Sequence, residues 1–234
     1  MTIWDELKVV LLDLEGSGAL AAYPDPRIDE DREPPFEIRL NPWATEAAET
    51  LHQRFGDDVE LIVGFLRYPE CRPWKSTVVM RTSPVVDATE RGIETALVAA
   101  PVTVSSGHTV ESALRVHNMS TDTIIVVTKG YVTGVIVDPR NGRGVGGGAQ
   151  SYVTARMRDP DTGLYRPVDS QPQIVPFPVT AGGTVVIPLL VGTASGLPEL
   201  GYAIPAGDWA VRVILELEDG GYLRTPLLPI TVTS

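Results

Sequence analysis

Several residue sets have types and spacings that chemistry uses. Asn141-Gly142-Arg143-Gly144-Val145-Gly146-Gly147 satisfies G-x-G-x-x-G. In a dinucleotide site those glycines follow a strand and open a helix, so that backbone amides meet the pyrophosphate. Here the run leads into Ala149-Gln150-Ser151-Tyr152-Val153-Thr154, which is β-like, so the required context fails and the segment reads as a flexible hairpin loop. Arg140 and Arg143 make this loop mildly basic in an acidic protein and mark it as a candidate contact surface. Gly192-Thr193-Ala194-Ser195-Gly196 sets a serine among small residues but misses G-x-S-x-G and lies in a β region, not at a strand-to-helix elbow.

His52, His108 and His117 lack the i, i+4 spacing of a helical zinc site and the spacing of a finger, so they read as structural or solvated. Cys71, beside Arg72 and near Lys75, reads as a small filler near a domain junction. Asp29-Glu30-Asp31, Asp57-Asp58 and Asp159 with Asp161 lack the twelve-residue ligand pattern of a calcium loop and read as solvated acids. Asn118-Met119-Ser120 fits a glycosylation sequon and reads as a turn. These readings imply no catalytic set, no metal and no cofactor. The more promising segment is Thr193 to Gly207, an apolar loop stiffened by Pro198 and Pro205 and carrying Leu197, Leu200 and Tyr202. A stiffened apolar loop loses less entropy on meeting a partner. The alternative, a plug over the end of the β domain, stays open.

The elements that must position these residues divide the chain. Ile3, Trp4, Leu7, Val10, Leu11 and Leu14 recur at helical spacing, which predicts a helix over about 3 to 15, capped by Thr2 and stopped at Gly16. Asn41 as N-cap and Pro42 at the first position predict a second helix, with Ala44, Ala47, Ala48, Leu51 and Phe55 on one face before Gly56. Flanking strands, Phe36 to Leu40 and Val59 to Leu66, make a crossover unit, and Gly18 to Tyr23 adds a third. Residues 1–75 therefore read as a small acidic α+β domain with 16 acidic against 8 basic side chains, leaving 14 against 11 for the rest. Residues 76–95 read as a linker or first edge strand.

Residues 96–234 lack a convincing amphipathic helix. Strands are expected at Leu97 to Val104, Val110 to His117, Thr123 to Thr128, Tyr131 to Val137, Ser151 to Met157, Ile174 to Val179, Thr184 to Val191, Trp209 to Leu217 and Tyr222 to Val232. Trp209, Val211, Val213, Leu215 and Leu217 alternate with polar residues, and Asp219-Gly220-Gly221 returns the chain as a hairpin. Pro226 and Pro229 belong on an edge. The strand count points to an antiparallel immunoglobulin-like two-sheet β-sandwich, with a closed barrel second. Thr184 to Val191, with few charges, would pair between chains if it were an uncovered edge.

The net charge of -11 argues against nucleic-acid binding. Two acids and no basic region precede the first apolar run, which argues against a signal peptide. One cysteine closes no intramolecular disulfide, which suits a cytoplasmic location. No run of 18 apolar residues occurs, so no membrane span is expected.

Leu114-Arg115-Val116-His117-Asn118-Met119-Ser120, then Val135-Ile136-Val137-Asp138 with a glycine turn, and Pro205-Ala206-Gly207-Asp208-Trp209 opening a terminal strand pair carry a resemblance. Residues 100–234 resemble bacterial immunoglobulin-like β-sandwich domains of the intracellular proteinase inhibitor type. The resemblance implies an intracellular β module that works by protein contact, and it transfers no individual functional residue. The functional expectation is a non-enzymatic protein-protein interaction module with a protein partner, proteinase inhibition being its specific version. The alternative is a hydrolase with a site at the domain junction; a sugar-binding sandwich is a third option.

Overall fold

A computed structural model of the chain describes residues 2–22, 33–64, 85–98, 101–128, 132–151 and 175–234. Cys71, Asp29-Glu30-Asp31, Asp159, Asp161 and most of the strand expected at Ser151 to Met157 lie outside them.

The first unit comprises α1 (Ile3–Ser17), β1 (Leu20–Ala22), β2 (Phe36–Leu40), α2 (Thr45–Phe55) and β3 (Val59–Val63). Thr2 caps α1 reciprocally: its hydroxyl accepts from Asp5 N at 3.2 Å, and the Asp5 carboxylate accepts from Thr2 N at 2.8 Å. These Thr2 hydrogen bonds, and then Lys8, hold the Asp5 carboxyl below its ordinary range. The helix runs through Gly16 and stops at Gly18, which takes the left-handed conformation at φ 71°. β2 pairs antiparallel with β1 and parallel with β3, as the crossover pattern predicts. Both helices pack on one face of this sheet. Leu7, Leu11, Ile38, Leu40 and Leu51 are buried there, each contributing about 1.5–3 kcal/mol.

Asn41 does not cap α2, whose first helical residue is Thr45. Its side-chain amide donates instead to the carbonyls of Gly18 and Leu20, at 2.9 and 3.0 Å. A buried carboxamide that satisfies two backbone acceptors stabilises the fold more than an exposed cap would, and the helix start moves accordingly.

The rest of the described chain is mostly β. Its strands are β4 (Val85–Asp87), β5 (Ile93–Leu97), β6 (Val102–Ser105), β7 (Thr109–Asn118), β8 (Ile124–Thr128), β9 (Val132–Val137), β10 (Gly144–Ser151), β11 (Val175–Val179), β12 (Thr184–Gly192), β13 (Gly207–Leu217), β14 (Tyr222–Arg224) and β15 (Leu228–Thr233). They form one curled sheet in the order β11-β8-β13-β9-β10-β12-β7-β5, with β14, β4, β15 and β6 branching beside β13. Most pairs are antiparallel, but β4 runs parallel to β14 and β6 parallel to β15, so the expected purely antiparallel body becomes a mixed sheet. Inside the curl lies a core that includes Leu114, Val116, Val126, Ile187, Val211 and Ile230.

β13 is the spine. Residues 207–211 pair with β15, 214–216 with β14, and between them Thr225 stands in for a strand partner. Its hydroxyl accepts from Val213 N at 3.0 Å and its N–H donates to Val213 O at 2.9 Å. This local hydrogen bonding divides the single strand expected over Tyr222 to Val232. The strand expected over Leu97 to Val104 likewise divides, β5 joining β7 and β6 joining β15.

Prolines mark where ladders end. β15 is flanked on both sides, but Pro229 precedes its first pair with β6, at Ile230, so no N–H is missed there. Pro176 and Pro178 lie on β11, which pairs only with β8 among the described residues, and their missing donors fall on the open side. β12 is no edge: it lies between β10 and β7, with Pro188 one residue short of the β10 ladder.

Candidate functional site

Asn141 to Arg143 of the glycine-rich run form the β9–β10 hairpin turn, but Gly144 to Gly147 belong to β10, a strand flanked by β9 and β12, and not to a flexible loop. Its glycines are buried. Gly147, at φ 55°, donates to Ala194 O at 2.6 Å, and a Cβ there would come within 2.7 Å of Gly192 O. At Gly192 a Cβ would run into the carbonyl of Pro42. The glycines thus let the first unit and the β body meet backbone to backbone, and Ala194 N donates to Pro42 O at 2.9 Å across that seam.

The loop from Thr193 to Gly207 crosses the same seam. Leu197 is buried just ahead of a 3-10 turn, Pro198–Leu200, in which Leu200 is half-buried and which Gly201 ends. Tyr202, at the positive φ of 61°, sets its ring 5.7 Å from that of His52 on α2 and packs on the first unit's core. Burial, with Glu49 nearby, pushes the Tyr202 phenol up. Ser195 donates to Val145 O at 2.9 Å and accepts from Leu197 N at 3.1 Å, which commits its hydroxyl to holding the loop against β10.

Arg140 and Arg143 lie in the β9–β10 turn. Arg140 grips Asp138 through Nε at 2.9 Å and Nη2 at 2.7 Å, and its N–H adds a third bond at 2.9 Å. The guanidinium, then the backbone bond, pulls the Asp138 carboxyl down to about 2. Arg143 N donates to Asn141 Oδ1 at 2.8 Å. This turn is internally tied, and the Ser195 bond joins the Leu197–Tyr202 loop to Val145 of β10, beyond the turn. Asn118 forms the expected turn: its Nδ2 donates to Asp122 O and Val179 O, and its Oδ1 accepts from Ser120 N and Oγ.

Elsewhere, a groove of about 480 Å³ opens beside β5, lined among others by Glu94, Thr95, Ala96, Arg115, His117 and Thr184. Register builds its floor. Glu94 faces His117, which faces Thr184; Ala96 faces Arg115, which faces the half-exposed Val186. The His117 Nδ1 lies 2.9 Å from Thr184 Oγ1 and 3.1 Å from Gly183 O. Glu94 and Arg115 are exposed and form no ion pair among the described residues. Sequence reasoning read His117 as structural or solvated and missed the groove, because Glu94, Ala96 and Arg115 become neighbours only through the β5–β7 register.

No protein-family model matches the chain, and no curated protein is similar to it. Among solved structures it is similar to PapD-like domain 7 of human CEP192, with 13% identity over 68% of this chain and 96% of that one and a TM-score of 0.26. The cupredoxin domain of amoB from Nitrosocaldus yellowstonii shares 11% identity over 62% and 88%, at 0.30. The CooA pilin subunit from enterotoxigenic Escherichia coli shares 12% over 60% and 97%, at 0.27. Likenesses this distant decide nothing about the site.

Among the described residues no group of three or more His, Cys, Asp or Glu is placed to hold a metal. No described helix is long and apolar enough to cross a membrane.

Proposed function

We propose that this chain is a non-enzymatic protein-binding module of the cytoplasm, whose body is an immunoglobulin-like sandwich with β13 shared between its two layers. The observation that carries the reading is the outward face of β5, β7 and β12. There Arg115 and Glu94, which form no ion pair among the described residues, stand beside a groove, with Val98 just past the end of β5 and Val186 on β12 exposed at 42% and 50%. Aliphatic surface bordered by uncommitted charges suits a protein contact. Tyr202 packs on the first unit's core, Leu197 is buried, and Arg140 and Arg143 lie in an internally bonded turn, so the contact belongs on the groove face. The sequence resemblance implies a proteinase as a further partner class, and it transfers no residue that assigns the proteinase to this face.

A hydrolase at the domain junction would need a free nucleophile, and Ser195, one of the hydroxyls described at the seam, is engaged at both ends. The test is a photo-crosslinker substituted at Val98 in cells producing the full chain. A discrete adduct that Arg115→Glu abolishes supports the reading; no adduct, or the same pattern from a crosslinker at Glu218, overturns it.

A further inference from the structure

The groove exposes more than side chains. Val98 N donates to Ala113 O and Met119 N to Gly92 O, at 2.8 Å each, which fixes the parity of the β5–β7 ladder. In an antiparallel pair, hydrogen-bonded residues alternate with residues whose N–H and C=O point the other way. Gly92, Glu94, Ala96 and Val98 therefore bond to β7, and Ile93, Thr95 and Leu97 direct their backbone groups outward. No described strand pairs with β5 on that side. Thr95, at the centre, lines the groove, and its buried hydroxyl has no hydrogen-bond partner. Pro226, also in the lining, has no N–H to give. The contrast with β11 is informative: there two prolines blunt the open side, whereas β5 carries one charge and no proline.

We infer that the occupant of this edge is the β5 edge of a second copy of the chain, paired antiparallel about a two-fold axis at Thr95. The inference rests on the contact-face reading above. Its register follows from charge. A two-fold at Thr95 sets Glu94 of each copy opposite Ala96 of the other, and Ala96 is the small residue beside Arg115. Arg115 and the second copy's Glu94 are then two strands apart, about 9–10 Å between backbones, a gap that their long side chains close over Ala96. Both uncommitted charges find partners, twice over, as an isologous contact requires. The same register pairs Ile93 with Leu97 and brings the two Thr95 hydroxyls side by side, giving each the partner it lacks.

The experiment is sedimentation of the full chain over a concentration series, with variants. A concentration-dependent dimer is expected. Glu94→Arg and Arg115→Glu should each raise its dissociation constant about tenfold or more through like-charge contact, and the double variant should recover most of that loss. Thr95→Pro, which removes no bond to β7, should give a monomer with an unchanged circular dichroism spectrum. If that variant fails to fold, Thr95→Cys in a Cys71→Ser background decides: opposed Thr95 residues lie within disulfide reach, so oxidation should give a covalent dimer, and Glu94→Cys should not. A chain that stays monomeric throughout, or a dimer indifferent to these changes, overturns self-pairing. An Arg115-dependent crosslink from Val98 to a different protein, with a monomer in solution, overturns self-pairing alone. No crosslink and a monomer overturn both readings.

Discussion

Ala194 donates its backbone N–H to the carbonyl of Pro42 at 2.9 Å, joining two segments 152 positions apart across the seam between the α/β unit and the β body. So close an approach depends on Gly192, two residues earlier, where any Cβ would meet that same carbonyl. Gly192→Ala should therefore destabilise the full chain by about 1–3 kcal/mol, the usual cost of overpacking. Gly182→Ala, in a turn with open space around it, separates the steric effect from glycine's backbone freedom alone: it should cost only the left-handed strain of about 1–2 kcal/mol. Denaturant unfolding of both variants measures the difference, and the seam account requires hydrogen exchange to quicken at Ala194 in Gly192→Ala only.

Asn118 ties three segments together. Its side chain bonds the β8 approach at Asp122, the end of β11 at Val179, and Ser120 in its own turn, while its backbone bonds Gly182 and Gly183. Asn118→Ala leaves a buried acceptor at Val179 without its donor and should cost about 2–4 kcal/mol. Asn118→Asp keeps the acceptor side but loses both Nδ2 bonds, and equilibrium unfolding should place it near the alanine variant.

Thr225→Val tests the β13 spine. The substitution keeps shape and removes the oxygen that accepts from buried Val213 N, so a loss of about 1–3 kcal/mol is expected. Thr225→Ser, which keeps the hydroxyl, should recover most of it in the same thermal-unfolding assay.

The Asp138–Arg140 grip carries a pH signature. Its folded carboxyl titrates at about 2 against an ordinary 3.8, so the stabilisation is complete above the ordinary value and disappears as pH falls through the lower one. The gap in melting temperature between the wild type and Asp138→Asn should be constant from neutral pH down to about 4 and then close on further acidification. A gap that widens in acid would contradict the assignment.

Period-2 alternation made most of the β body legible: Trp209 to Leu217 and Thr184 to Val191 fall on real strands, and the Asp219-Gly220-Gly221 turn lies between β13 and β14. The failures share one physical cause, which is that local chemistry was outbid by tertiary contacts. Asn41 has every property of a cap and serves buried carbonyls instead. The glycines of 144–148 look like a mobile loop because they have no side chains to alternate, and that lack of side chains is what lets another backbone lie on them. Likewise the few charges of Thr184 to Val191 fit an uncovered edge and a buried central strand alike, and the structure makes it central. The candidate site was the least legible part. Arg115 was visible only as a residue of a strand, and its relation to Glu94 and Ala96 exists only once register is known.

The most direct single measurement is amide hydrogen exchange at β5, residue by residue, in dilute and in concentrated samples of the full chain. Glu94 and Ala96 should be protected at every concentration, because β7 holds them. Thr95 should exchange freely when dilute and become protected on concentration, as its outward N–H acquires a partner. Exchange at Thr95 that does not depend on concentration would contradict an open, self-pairing β5 edge.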